Sequence, residues 1–181
     1  MKLYFLFSAL FLFLSCTDLK KPKQLDRVEA LNTKFSELEQ LYSNFAEFSD
    51  IQLEVSEVES RLIEYSTGDT LTFEFAQKID RYSSISSDLE WIETQIPHID
   101  SLFEIRGNGI LTLSHDIENG VGDRSKYDDN IEFENTSMTE LSGCIEYCDS
   151  MLKNAILNFK ELNHQVEEYS LDLEKKTRNN N

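Results

Sequence analysis

The sequence predicts an all-α protein, an elongated antiparallel up-down-up three-helix bundle with coiled-coil-like packing. Three observations carry that expectation. The first is a seam repeating every seven residues, Ile131, Met138, Ile145, Leu152, Phe159, Val166 and Leu173. Its companions are Tyr127, Leu141, Cys148, Ala155, Leu162 and Tyr169, with one polar interruption at Glu134. Spacing of four and three marks a long helix packed against other helices. The second is that two earlier stretches carry seams of the same kind. The third is the scarcity of breakers: 6 Gly and 2 Pro in 181 residues are too few for a fold built on hairpins.

Taken in chain order, Met1 and Lys2 precede an apolar run from Leu3 to Leu14, broken only by Ser8. About a dozen residues is too short to span a bilayer and suits the core of a signal peptide. Phe13-Leu14-Ser15-Cys16 then sets a bulky apolar residue, a small residue and a cysteine in order. This resembles a bacterial lipobox, of the looser sort familiar among the Bacteroidota, with Phe13 where Leu is commonest. The resemblance implies that residues 1–15 are removed, that Cys16 receives a diacylglyceryl thioether, and that its new amine is acylated. Each buried methylene contributes roughly 0.8 kcal/mol, so several acyl chains make a stable anchor. Thr17 follows Cys16, where an Asp would resemble an inner-membrane retention signal; the outer membrane is therefore expected.

Residues 16–24 read as the lipidated cysteine and a polar tether, carrying Lys20, Lys21, Pro22 and Lys23. A first helix is expected over about 25–66, on Val28, Leu31, Phe35, Leu38, Tyr42, Phe45, Phe48, Ile51, Val55, Val58, Leu62 and Tyr65. Consecutive spacings of three from Phe45 to Ile51, with Ser43, Asn44, Ser49 and Asp50 nearby, predict an irregularity there. Gly68 stops the helix and Asp69 caps the next.

The second helix is expected over about 70–118, on Phe75, Tyr82, Leu89, Ile96, Phe103, Ile110 and Ile117, with Leu71, Lys78, Ile85, Ile92, Ile99, Arg106 and Leu113 beside them. The phase survives Pro97, so a kink is preferred to a break. Gly107-Asn108-Gly109 is the weaker spot, where the helix can fray near Arg106, since two glycines in one turn cost about 2 kcal/mol relative to Ala. Asn119-Gly120-Val121-Gly122 closes it, and Asp123 caps a third helix over about 123–175. Residues 176–181 are expected to fray. With an up-down-up order, the polar interruptions Arg106 and Glu134 fall at one height about the second turn and are expected to face each other as a partly buried ion pair. Lys78 is expected to snorkel.

The net charge is −17; loss of Lys2 with residues 1–15, which hold no acid, would leave −18. Such a chain repels phosphates and is not expected to bind nucleic acid. Cys144 and Cys148 lie one helical turn apart and could form half a metal site with His98, but their spacing fits packing better. His115 and His164 read as surface residues, and Trp91 as packed or half-packed. The acidic pairs are solvated helix faces. Asp116, Glu118, Asn119 and Asp123 surround the second turn without EF-hand spacing. No phosphate loop, zinc-protease motif or nucleophile elbow is present. A non-enzyme without cofactor is expected.

His115-Asp116-Ile117-Glu118-Asn119-Gly120, followed by Arg124-Ser125-Lys126-Tyr127, resembles a segment of small helical lipoproteins of the Bacteroidota. That resemblance implies no activity. The expected role is that of a membrane-tethered envelope lipoprotein, held by the lipid on Cys16 and acting as a structural or protein-interaction module with an envelope protein partner. The alternatives are a periplasmic chaperone or carrier for apolar clients and, behind it, a metal-dependent site at Cys144, Cys148 and His98.

Overall fold

The computed structural model describes residues 19–66 and 71–179. Among them 94% is helical, no strand is present, and four helices pack together. They are α1 (Lys21–Ser43), α2 (Ser49–Tyr65), α3 (Phe73–Asn119) and α4 (Tyr127–Asn179), with 3₁₀ turns at Asn44–Glu47 and Arg124–Lys126. The signal segment, Cys16, the Gly68 stop, the Asp69 cap and the last two residues of the expected frayed tail lie outside the described residues.

The boundaries differ from expectation in three places. Lys21, Pro22, Lys23 and Gln24 belong to the first turn of α1 and not to a tether. Proline is tolerated there because its missing N–H has no intrahelical partner. The single helix expected over 25–66 is divided in two. Its cause is the spacing of three at Tyr42, Phe45, Phe48 and Ile51, which matches the three-residue turn of a 3₁₀ helix rather than the longer α turn. Tightening Asn44–Glu47 into a 3₁₀ turn keeps both Phe45 and Phe48 buried. The absence of a break at Pro97 agrees with expectation: α3 runs without interruption through Pro97, whose ring is exposed, and also through Gly107-Asn108-Gly109. Residues 176–179, expected to fray, continue α4. Lys176 pairs with Asp172 at 2.8 Å and Arg178 with Glu174 at 2.6 Å, placing cations at the negative end of the helix dipole.

The chain divides into two compact units. The described part of the first comprises residues 19–35 and 106–138. Its core holds Val28, Leu31, Ile110, Leu113, Ile117, Tyr127, Ile131 and Met138. The turn between α3 and α4 is closed by several bonds. Gly120 has φ 65° and Val121 N–H donates to Asp116 O at 2.9 Å, which is a Schellman cap with glycine in the left-handed position. Asp123 accepts from Ser125 N–H at 3.0 Å, and the Tyr127 hydroxyl sits 2.6 Å from Val121 O and 2.8 Å from Asp116 O. Lys21 Nζ donates to Glu118 O at 2.7 Å, satisfying a carbonyl of the last turn of α3. Arg27 reaches Asp128 at 3.1 Å and Glu132 at 3.5 Å.

The second unit comprises Ser36–Ile105 and Thr139–Asn181, described except for 67–70 and 180–181. Leu38, Val55, Val58, Leu62, Tyr82, Ile85, Leu89, Ile92, Ile99, Leu141, Ile145, Leu152, Leu162 and Val166 are buried in it, so the apolar periodicity of each helix is its core face. Gly143 lies on the exposed side of α4, and a Cβ there would meet nothing within 4 Å. Gly143→Ala is therefore expected to stabilise the protein by about 1 kcal/mol. A thermal melt checks this; a midpoint that falls would show that the position is not open.

Candidate functional site

Arg106 and Glu134 come together within the first unit. Arg106 Nη1 lies 3.5 Å from Glu134 Oε2, and the two side chains are 16% and 12% exposed. Arg106 Cζ stands 5.5 Å from the centre of the Phe133 ring, a cation–π contact. Neither Arg106 Nε nor Glu134 Oε2 has a hydrogen-bond partner. The two glycines of α3 explain how the pair fits. A Cβ on Gly109 would stand 2.6 Å from Glu134 Oε1, and one on Gly107 would stand 3.1 Å from Phe35 Cζ. Glycine is used here for close approach, which offsets its helix-propensity cost. An open groove of about 370 Å³ runs past Glu134, bordered by Asn108, Thr112, Asp116 and Asn130.

In the second unit Cys148 is buried and Cys144 half-buried, both as free thiols. Burial, with Cys144 beside it, pushes the Cys148 thiol up to about 11, so it is a neutral core group at ordinary pH. His98 is exposed. Among the described residues no three His, Cys, Asp or Glu side chains are grouped to hold a metal ion. His115 lies 3.5 Å from Asp116, and His164 lies 3.5 Å from Glu168; both histidines are exposed. Asp123, one of the acids at the second turn, is engaged as the cap of the 3₁₀ turn, and its hydrogen bonds from Ser125 hold its carboxyl below the usual range.

Three polar connections lie beyond what the seams indicated. Tyr82, fully buried, donates to Asn163 Oδ1, and Asn163 Nδ2 donates to Glu54 Oε1. Ser170, also fully buried, accepts from Arg61 Nε at 3.1 Å and donates to Glu167 O at 2.8 Å. The Tyr42 hydroxyl donates to Asp100 at 2.7 Å. The only sequence signal for the first and third is that Tyr82 and Tyr42 sit in seams, because a buried phenol requires a polar partner. Lys78 leaves its seam to donate to Gln165 Oε1 at 2.7 Å.

Trp91 is 37% exposed and stacks edge-on against Tyr147, which is 57% exposed, with ring centres 5.1 Å apart. A second open groove, of about 490 Å³, is lined by Leu71, Thr72, Phe75, Gln165, Glu168 and Tyr169. No described helix is long and apolar enough to cross a membrane. No protein-family model, curated protein or solved structure matches this chain.

Proposed function

We propose that this chain is an envelope lipoprotein, tethered to the outer membrane by lipid on Cys16, whose helical body is a structural or protein-interaction module. The observation that carries the reading is the order of residues at the amino end: an apolar run from Leu3 to Leu14, then Ser15 and Cys16. The exposed Trp91–Tyr147 pair favours contact with another protein, since aromatic side chains are enriched at the centres of such contacts. A net charge of −17 favours a protein partner over nucleic acid.

We read the helices of the bundle as up-down-up, with α1 and α2 forming the first limb. Within the second unit, residues later in α3 meet residues earlier in α4: Lys78 meets Gln165, and Trp91 meets Tyr147. Tyr42 meets Asp100 and Gln52 meets Glu93, again in opposite senses. Glu54 with Asn163 and Arg61 with Ser170 advance together. Those senses support antiparallel neighbours around α3 and a parallel pair of outer limbs.

The test of the anchor is metabolic labelling with a palmitate analogue, followed by membrane fractionation of cells making the full chain. The wild type is expected to carry label and sediment with membranes, and Cys16→Ser to lose both. A wild type without label, or a label that survives Cys16→Ser, would overturn the reading.

A further inference from the structure

One end of the first unit is opposite in charge to the chain as a whole. Lys21 Nζ donates to Glu118 O at 2.7 Å, and Lys20 Nζ lies 3.6 Å from Asp128 Oδ2. The start of α1 therefore stands beside the end of α3 and the start of α4. Residues 19–23 and 120–126 make up this end, and they hold Lys20, Lys21, Lys23, Arg124 and Lys126 against a single acid, Asp123. Counting the neighbouring Glu118 and Asp128 still leaves it net positive, in a chain of net charge −17. Two apolar side chains project among these cations: Leu19 is 90% exposed and Val121 47%. Lys20, Lys23 and every residue from Val121 to Lys126 are exposed as well.

Cations around a projecting apolar side chain suit the headgroup layer of a bilayer. The cations meet lipid phosphates, and the apolar group enters the boundary with the acyl chains. The net charge of the chain does not forbid this. At physiological salt an electrostatic interaction fades over about 8 Å, so a surface responds to the charges nearest it and not to the total. Placement comes from the proposed anchor, on which this inference rests. Cys16 is three residues from Leu19, a span of at most about 11 Å when fully extended. Lipid on Cys16 would therefore hold this end at the bilayer surface.

We propose that this end of the first unit is a docking surface for anionic phospholipid. Leu19 and Val121 enter the headgroup layer, and Lys23, Arg124 and Lys126 face the lipid phosphates. The contact fixes which end of the unit meets the membrane, a task that a lipid on a short tether cannot perform alone.

The test uses lipidated full-length protein purified from membranes and placed in vesicles. Trp91→Phe removes the one native tryptophan, and either Val121→Trp or Thr33→Trp then supplies a single reporter. Thr33 is exposed and stands about 18 Å along α1 from its first residue. Quenching is read with phospholipid carrying a nitroxide near its headgroup, in phosphatidylcholine with and without phosphatidylglycerol. With phosphatidylglycerol, the Val121→Trp reporter is expected to be quenched several-fold more than the Thr33→Trp reporter. Adding Lys23→Gln and Lys126→Gln is expected to remove most of that difference, because each cation near an anionic surface favours contact about fivefold. Circular dichroism checks that helix content is unchanged. Equal quenching of the two reporters in anchored protein would overturn the docking surface and leave the anchor standing. So would quenching of the Val121→Trp reporter that ignores both phosphatidylglycerol and the two lysines. A wild type that carries no lipid would overturn both readings together.

Discussion

Glu134→Ala is expected to lower the unfolding free energy by about 3 kcal/mol, the scale for removing one partner of a buried ion pair. The cause is the guanidinium left behind. Arg106 is 16% exposed and its Nε already lacks a hydrogen-bond partner. Without Glu134 it keeps its desolvation cost and loses its nearest anion, and the contact with Phe133 does not make up the difference. The intact pair contributes much less than the single deletion costs, because at 3.5 Å its attraction mainly offsets the desolvation of both groups. Arg106→Met combined with Glu134→Leu should therefore cost less than Glu134→Ala alone. Gly109 adds a second handle. Gly109→Ala should destabilise the wild type, where the new methyl would press on Glu134 Oε1 at 2.6 Å. In the Glu134→Ala background the same change should stabilise by about 1 kcal/mol, the ordinary helix-propensity gain. Denaturant titrations of these variants complete the cycle. A Glu134→Ala cost below about 0.5 kcal/mol, typical of surface changes, would refute the desolvation cost assigned to the unpaired guanidinium.

Alkaline conditions should unfold the protein, through three groups that are held protonated in the fold. Burial, with Cys144 adjacent, pushes Cys148 up to about 11. Burial raises Tyr82 well above the ordinary phenol range, helped by the Glu54, Glu167 and Glu59 carboxylates. Burial also raises Tyr42, helped by its hydrogen bond to Asp100. In the unfolded chain these groups ionise near about 8.5 for the thiol and about 10 for the phenols. The native state then binds more protons than the unfolded state, and stability falls as pH rises. The stabilisation is complete below about pH 8; Cys148 withdraws its share from about 8.5 and the tyrosines from about 10. Each slope approaches about 1.4 kcal/mol per pH unit, with Tyr42 contributing less because it is only partly buried. The summed loss by pH 11 is on the order of 5 kcal/mol, comparable with the whole stability of a small domain. Unfolding followed by circular dichroism from pH 8 to 11 should show the decline, and Cys148→Ala and Tyr82→Phe should each flatten their part of it. A level profile, or slopes unchanged in both variants, would contradict it.

The helices were legible because burial of one face is a local, periodic property. Leu89, Ile92, Ile145 and Leu152 are buried where their seams place them. The irregularity near Phe45 was legible too, since a run of three-residue spacings fits a 3₁₀ turn better than an α-helix. Helix ends were less so. Lys21–Gln24 look like a tether because propensity favours no structure there. Tertiary contacts outweigh it: Gln24 is buried and Lys21 binds the last turn of α3. Thr136 lies inside α4, and its hydroxyl donates back to Glu132 O at 3.0 Å without interrupting the helix.

Taken by itself, the sequence determined that the chain is helical and which faces its helices bury, because the repeat of apolar side chains and the turn chemistry of Gly120 and Asp123 act within a few residues. It also placed Arg106 and Glu134 at one height, because that follows from counting outward from a turn. Only the tertiary structure decided what each exception to the pattern meets. Gly107 and Gly109 read as weak points from propensity alone, yet they admit Phe35 and Glu134 against the helix backbone. Asn163 and Ser170 carry no periodic signal, yet they receive Tyr82 and Arg61. A backbone's cost is local, but the neighbour that offsets it comes from another helix, and the period of one helix carries no information about which atom will arrive.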